Sequence, residues 1–257
     1  MVNAMRRMLS PLRARLGRSD LYAFNLRRRD TWVASWAARL PPGGRVLDVG
    51  AGSAPYRGLF AHCAYLTHDF AELAPEQLRH GGYGAIDIVS DATAIPGKSG
   101  SFDVILCTEV IEHHPEPILV VRELGRLLRP GGLLLLTAPL GSGIHQEPFH
   151  FYGGYTPYWY RKFLPEAGFV DIHIEANAGS FRHFGQESVR FWTMIAPHRL
   201  AAPFWVKALV APLWLLLAPA LVIIVPLIAQ WLDRYDAEKR FTVGYNVSAR
   251  KGGEASP

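Results

Sequence analysis

Short apolar runs alternate with amphipathic stretches from residue 45 to 175. Arg45-Val46-Leu47-Asp48-Val49-Gly50 has the pattern of a short buried strand and runs into Gly-Ala-Gly. Ala64–Thr67 predicts a second strand ending at His68-Asp69, and Ile86–Val89 a third ending at Ser90-Asp91. Phe102–Cys107 is a fourth. Leu133–Thr137, nearly all apolar, suits the centre of a parallel sheet. Val170–Glu175 alternates and predicts a sixth strand. Between the fourth and fifth strands, Pro117–Leu128 has helical apolar spacing and stops at Arg129-Pro130-Gly131-Gly132. Tyr158–Ala167 predicts another helix, closed by Gly168, and Tyr22–Leu40 one ahead of the first strand, stopped by Pro41-Pro42-Gly43-Gly44.

Strands alternating with helices over this length imply a doubly wound parallel sheet. Ligands of such sheets bind beyond the carboxyl ends of the strands, so the residues just after each strand carry the chemistry.

Composition adds two constraints. With 49% hydrophobic and 19% charged residues the chain can bury a sizeable core, which excludes wholesale disorder. Cys63 and Cys107 lie in apolar runs without CxxC spacing, which favours two reduced thiols over a disulfide or a metal site. The net charge of +5 is unevenly placed. Residues 1–45 hold ten arginines (Arg6, Arg7, Arg13, Arg15, Arg18, Arg27, Arg28, Arg29, Arg39 and Arg45) against Asp20 and Asp30. Such an arm suits an anionic surface, lipid or nucleic acid, or simply a solvated helical face. Its arginines interrupt the first apolar residues, so no signal-peptide core is expected.

At the strand ends, Gly50 and Gly52 permit a tight turn and close approach of backbone to a ligand. Pro55 stands where the last glycine of a dinucleotide-binding G-x-G-x-x-G would be, which disfavours NAD and hydride chemistry. Asp69, about 20 residues past Asp48, can accept from both hydroxyls of a ribose. Asp91 can accept from an exocyclic adenine amine, with the next backbone N–H, that of Ala92, reaching a ring nitrogen. One aspartate after a strand is usually a turn residue; three in this order are harder to assign to turns alone.

Four segments then carry a resemblance. Val46–Gly52 resembles motif I of S-adenosylmethionine (SAM)-dependent methyltransferases of class I. Phe102–His113, with Glu109-Val110-Ile111-Glu112-His113, is similar to the superfamily's fourth-strand motif, and Leu127–Leu134 to its turn before the fifth strand. His145-Gln146-Glu147-Pro148-Phe149-His150 with Tyr155-Thr156 resembles a segment of many members that act on small molecules. The resemblance covers about residues 40–175 and departs from the family at Ala54, where many members have a third glycine. It implies an α/β fold, a Rossmann-like seven-stranded methyltransferase sheet with an apolar helical insertion before the last strand.

The organisation expected is a basic helical arm (1–40), a SAM-binding core (41–175), the apolar insertion (176–240), and a last strand and tail (241–257). By the same resemblance, Gly50 and Gly52 contact the donor's methionine part and Asp48 supports its amine through the loop. Asp69 holds the ribose, Asp91 and Ala92 read the adenine, Phe70 flanks it, and Thr108 and Glu109 line the floor beneath the sulfonium. The methyl group is already activated, so the protein chiefly aligns donor and acceptor. A hydroxyl acceptor also needs a base, for which His113, His145 and His150 are the candidates and His114 a lesser one. His145, Glu147 and His150 share no helical face, and no metal is expected.

Ala208–Leu232 is 25 residues without a charge, long enough to be a transmembrane candidate. Pro212, Pro219 and Pro226 each remove a helix hydrogen bond. Thr242–Lys251 resembles the last strand of the superfamily, which would return the chain to the sheet and exclude a single crossing. A hairpin bent near Pro219 has arms too short for the ~30 Å hydrocarbon core. The expectation is a monotopic or re-entrant hairpin, with Trp205, Trp214 and Trp231 at the interface; a buried cap over the active site and a true span are the alternatives. The whole predicts a cytoplasmic enzyme, peripheral or monotopic on the membrane, that methylates a small or lipid-linked acceptor, on oxygen first. Methylation of carbon on a quinone-like precursor, RNA methylation and a non-catalytic scaffold that keeps the fold are the competing readings.

Overall fold

The computed structural model describes residues 21–253; the first five arginines of the basic arm lie outside them. The chain divides into two compact units, one of residues 29–177 with the returning 244–253, the other of residues 21–28 with Ala178–Val243.

The first unit is a seven-stranded sheet. Its strands are β1 (Arg45–Val49), β2 (Ala64–Asp69), β3 (Ile88–Val89), β4 (Phe102–Thr108), β5 (Leu128–Pro139), β6 (Phe169–Ala176) and β7 (Gly244–Lys251). The order is β3-β2-β1-β4-β5-β7-β6. The first five pair in parallel and β7 runs antiparallel between β5 and β6. This is the expected Rossmann-like methyltransferase sheet. The chain reverses direction across the sheet between β1 and β4, so the carboxyl ends of β1, β2 and β4 open on one crevice.

The apolar runs fill the middle. Leu47, Ile105, Leu134 and Leu136 are fully buried on one face with Val120, Val121 and Leu124 of helix α2 (Pro117–Leu127). Val46, Leu106 and Leu135 alternate to the other face, where they meet Val33 and Ala37 of helix α1 (Phe24–Ala37). Helix α3 (Pro157–Glu166) begins at Thr156, whose hydroxyl accepts from the Trp159 N–H, with Pro157 at its first position. β5 is longer than the apolar run predicts. Leu128 already pairs with Phe102, and a bulge at Arg129–Gly132 carries the chain on to Leu133. Gly132 is held there by space, since a Cβ would lie 2.8 Å from the Arg129 carbonyl. β3 is reduced to two residues: ahead of it the Asp87 carboxylate, not a backbone carbonyl, accepts from the Thr67 N–H at 2.9 Å, and Gly84 N–H donates to the Gly52 carbonyl over the β1 turn.

The second unit is helical. Helix α4 (Ser180–Met194) is followed by α5 (Phe204–Pro219), a π-turn (Ala220–Ile224) and α6 (Val225–Leu232). The hairpin expected near Pro219 does not form: Phe204–Tyr235 is one continuous helix of 32 residues. The π-turn after Pro219 accommodates the lost hydrogen bond without a reversal. Pro226 leaves the Val222 carbonyl without its usual donor, and the Tyr22 hydroxyl supplies one at 2.5 Å. Ser188 donates to Leu221 at 2.9 Å, and Trp192 and Trp214 stack at 4.6 Å while each indole N–H donates to the other's carbonyl. Gly185 lets α4 approach closely, for a Cβ there would stand 2.9 Å from Ala229. Asp233 closes the unit by accepting from the Gly179 and Arg182 N–H groups at the start of α4.

Candidate functional site

The turn after β1 needs its glycines twice over. Gly50 has φ +69°, and a Cβ on it would lie 2.3 Å from Val110. Gly52 has φ +52°, and its N–H donates to the Asp69 carboxylate at 2.8 Å. The other oxygen of Asp69 accepts from the Ala71 N–H at 3.0 Å. Asp69 thus ties the end of β2 to the turn after β1, with the Tyr83 hydroxyl as a further neighbour. This glycine cradle beside a buried acceptor fits an adenosyl donor whose ribose hydroxyls need partners.

Asp91, after β3, has an exposed side chain that accepts from the N–H and hydroxyl of Thr93 and from His114 at 3.2 Å. Ala92 beside it is buried. Phe70 packs edge-on against Phe149 at 4.9 Å, which links the β2 end to the loop after β5. Thr108 sits at the end of β4, paired with Thr137. Glu109 follows with φ +54°; its carboxylate accepts from the Thr137 hydroxyl at 2.8 Å and lies 3.3 Å from Arg29.

Asp48 faces inward. Its carboxylate is fully buried on β1 and accepts from the Tyr65 hydroxyl of β2. Burial pushes its pKa up to about 7, against the lowering effect of Tyr65. The side chain itself braces the β1–β2 pair beneath the turn.

Arg29 has no role in the sequence reading. It is a half-buried side chain on α1 whose buried Nε has no hydrogen-bond partner. Burial opposes its charge, but Glu109 and Tyr56 outweigh this and raise its pKa. Its neighbour Asp30 accepts from Tyr56 at 2.9 Å and from both terminal nitrogens of Arg79 at 3.0 and 2.6 Å, which fixes that turn of the helix. The run Arg27-Arg28-Arg29 reads as surface charge; the aspartate after it is the only hint that one arginine points inward.

The three candidate bases converge. Phe151 and Tyr152 donate their N–H groups to the Glu112 carbonyl, and the Tyr155 hydroxyl donates to Ile111. These bonds hold the loop after β5 against the short turn Ile111–His113. The rings of His113, His145 and His150 lie 4.6–5.6 Å apart as a result. Burial drives the pKa of His113 down to about 4, so it is neutral at pH 7. His114 faces Asp91 instead and does not join them. Glu112 is fully buried; one of its oxygens lies 3.8 Å from His113 Nε2, and neither has a hydrogen-bond partner.

Comparison with known proteins places this arrangement. The sequence model of a family described as a methyltransferase domain matches residues 22–188. The ubiquinone biosynthesis O-methyltransferase of Xanthomonas campestris pv. campestris is 36% identical over 128 residues, 46% of this chain and 51% of that one. A sarcosine/dimethylglycine N-methyltransferase of Halorhodospira halochloris is 29% identical over 178 residues, 62% and 64% of the two chains. The chain thus spans about half to two thirds of the length of these relatives. Among solved structures, a chain of the complex with the Haloferax volcanii Trm112 methyltransferase activator superposes with a TM-score of 0.52 at 16% identity, covering 98% of this chain and 99% of that one. The [4+2]-cyclase SpnF superposes at 0.50 and 20% identity, covering 88% and 80%. At such identities the likeness concerns the fold, and the cyclase illustrates that one fold serves several reactions.

A buried Asp48 that binds its proton more tightly in the folded state than in the unfolded one loses stability as pH rises from about 4 through 7. Asp48→Asn, which can still accept from Tyr65, is expected to raise the thermal midpoint more at pH 8 than at pH 5; an equal shift at both would contradict the assignment. With the family model spanning the donor cradle, the chain belongs to the class I, SAM-dependent methyltransferase family.

Proposed function

We propose that this chain transfers a methyl group from SAM to a hydroxyl oxygen of a small or lipid-linked acceptor at a membrane surface. The observation that carries the reading is the convergence of His113, His145 and His150 at the loop after β5, next to the donor cradle. SAM supplies an activated methyl on a sulfonium. Gly50 and Gly52 admit its amino-acid part, Asp69 accepts from the ribose hydroxyls, and Asp91 with Ala92 faces the adenine. Arg29, with its unused Nε, meets the donor's carboxylate. What remains for the acceptor is orientation and removal of a proton. Burial and the neighbouring His145 lower the pKa of His150, which favours the neutral form a base needs. The name of the Xanthomonas relative, an O-methyltransferase of ubiquinone biosynthesis, supports oxygen as the accepting atom and a hydrophobic acceptor.

The helical unit supports the membrane part of the reading on its own. Leu209, Leu213 and Leu216 form an exposed apolar stripe at 75%, 52% and 75% exposure. Thirty-two residues make a rod about 48 Å long, more than a hydrocarbon core requires. Yet α4 packs along its second half and carries Gln186 and the Glu187–Arg190 pair, which favour water. The rod therefore lies along the interface with α4 on its wet side, as an amphipathic anchor does. Pairing of the proline-freed carbonyl by Tyr22 is the solution needed where water is scarce.

Two measurements test this. Incubation of the chain with SAM and a membrane lipid extract should yield S-adenosylhomocysteine and an extract component heavier by one methyl; His150→Ala should lower the rate by roughly 100-fold, the usual scale of a general base. No product from lipid or soluble extracts would refute the assignment. In co-sedimentation with anionic vesicles, the full chain should pellet and Leu209→Glu/Leu216→Glu should remain in the supernatant. Equal partition of the two would remove the anchor.

A further inference from the structure

Each histidine of the cluster has one nitrogen committed and one left over. His113 Nδ1 lies 2.6 Å from the Phe149 carbonyl, and His145 Nδ1 lies 2.9 Å from that of Gly143. A carbonyl only accepts, so both Nδ1 atoms carry the proton and both Nε2 atoms present a lone pair. Ser142 spends its hydroxyl proton on the Gly153 carbonyl at 3.1 Å, so it accepts from His150 Nε2 at 3.2 Å. That leaves His150 with a lone pair on Nδ1. A backbone carbonyl that fixes the ring and its tautomer is the usual support of a metal-binding histidine.

Beside the rings stands Glu112, wholly buried, with neither carboxylate oxygen hydrogen-bonded and one of them 3.8 Å from His113 Nε2. A buried acceptor with no donor is costly, and a structure that keeps one calls for an explanation. Glu109 cannot serve in its place, since Thr137 and Arg29 occupy its oxygens. One ligand atom from each of Glu112, His113 and His145 lies within 4.8 Å of the others. The three ring centres are 4.8, 5.6 and 4.6 Å apart. Imidazoles bound to one zinc ion at about 2.0–2.1 Å place their ring centres roughly 5 Å apart.

We propose that Glu112, His113 and His145 bind one divalent transition-metal ion of the zinc class, with an open position facing His150. Two imidazoles and a carboxylate are the donor set of catalytic zinc and of open-sided iron centres; magnesium and calcium prefer oxygen alone. The site extends the methyl-transfer reading and rests on it only for its use. An acceptor hydroxyl at the open position becomes more acidic and gives its proton to His150. Its oxygen then forms the bond to the methyl carbon as the S–CH3 bond breaks, and the donor leaves as a neutral thioether.

The test uses the full chain, freed of metal by a chelator and titrated with Co2+. The expected result is one Co2+ per chain, with visible absorption altered from that of the hydrated ion and abolished by Zn2+ but not by Mg2+. His145→Ala, at an exposed position, and Glu112→Gln should each weaken Co2+ binding by at least about tenfold, while SAM affinity in His145→Ala stays at the parent value. A spectrum of hydrated Co2+ throughout, parent affinity in both variants, or displacement by Mg2+ as readily as by Zn2+ would overturn the site. With SAM binding intact, any of these would remove the metal and leave the methyltransferase reading standing.

Discussion

The hydrogen bond from the Gly52 N–H to the Asp69 carboxylate is the constraint on which the proposed donor site depends. It joins the turn after β1 to the end of β2, two strands already held side by side in parallel. A buried carboxylate with two backbone donors stays ordered. The left-handed backbone of Gly50 and the pressure of Val110 on it leave no room for another residue. The cradle is therefore shaped before any ligand arrives, and little reorganisation remains for binding.

The histidine loop is built differently. No strand carries His145 or His150; they sit on a loop pinned to the Glu112 carbonyl and to Ile111. Anchoring of this kind brings residues more than 30 positions apart within ring contact of His113. It also buries Glu112 without a partner, which is the feature a cation would relieve. The same loop reaches Phe70 through Phe149, so the end of β2 and the histidine loop share one wall.

Much of the sheet was legible because burial on both faces writes a continuous apolar run, as in Leu133–Leu136, and because glycine and aspartate mark the ends of β1, β2 and β3. The convergence of the three histidines was not, since a loop's path depends on tertiary hydrogen bonds that leave no period in the sequence. Arg29 was hidden among surface arginines, because its pairing with Glu109, some 80 residues on, leaves no local signal beyond the aspartate that follows it. The inward turn of Asp48 depends on Tyr65 of the neighbouring strand, a pairing that register decides. The long helix Phe204–Tyr235 corrected the expected hairpin: three prolines suggest breaks, but a π-turn and donors from Tyr22 and Ser188 let the rod continue.

The central claim is that the Asp69 carboxylate holds the donor's ribose from the end of β2. Calorimetric titration of the purified chain with S-adenosylhomocysteine, beside Asp69→Ala, tests it most directly. The account predicts saturable one-to-one binding by the parent and an affinity at least roughly tenfold weaker in the variant, the scale of lost hydrogen bonds to a charged group. Equal affinity in the two, or no binding by the parent, would contradict it.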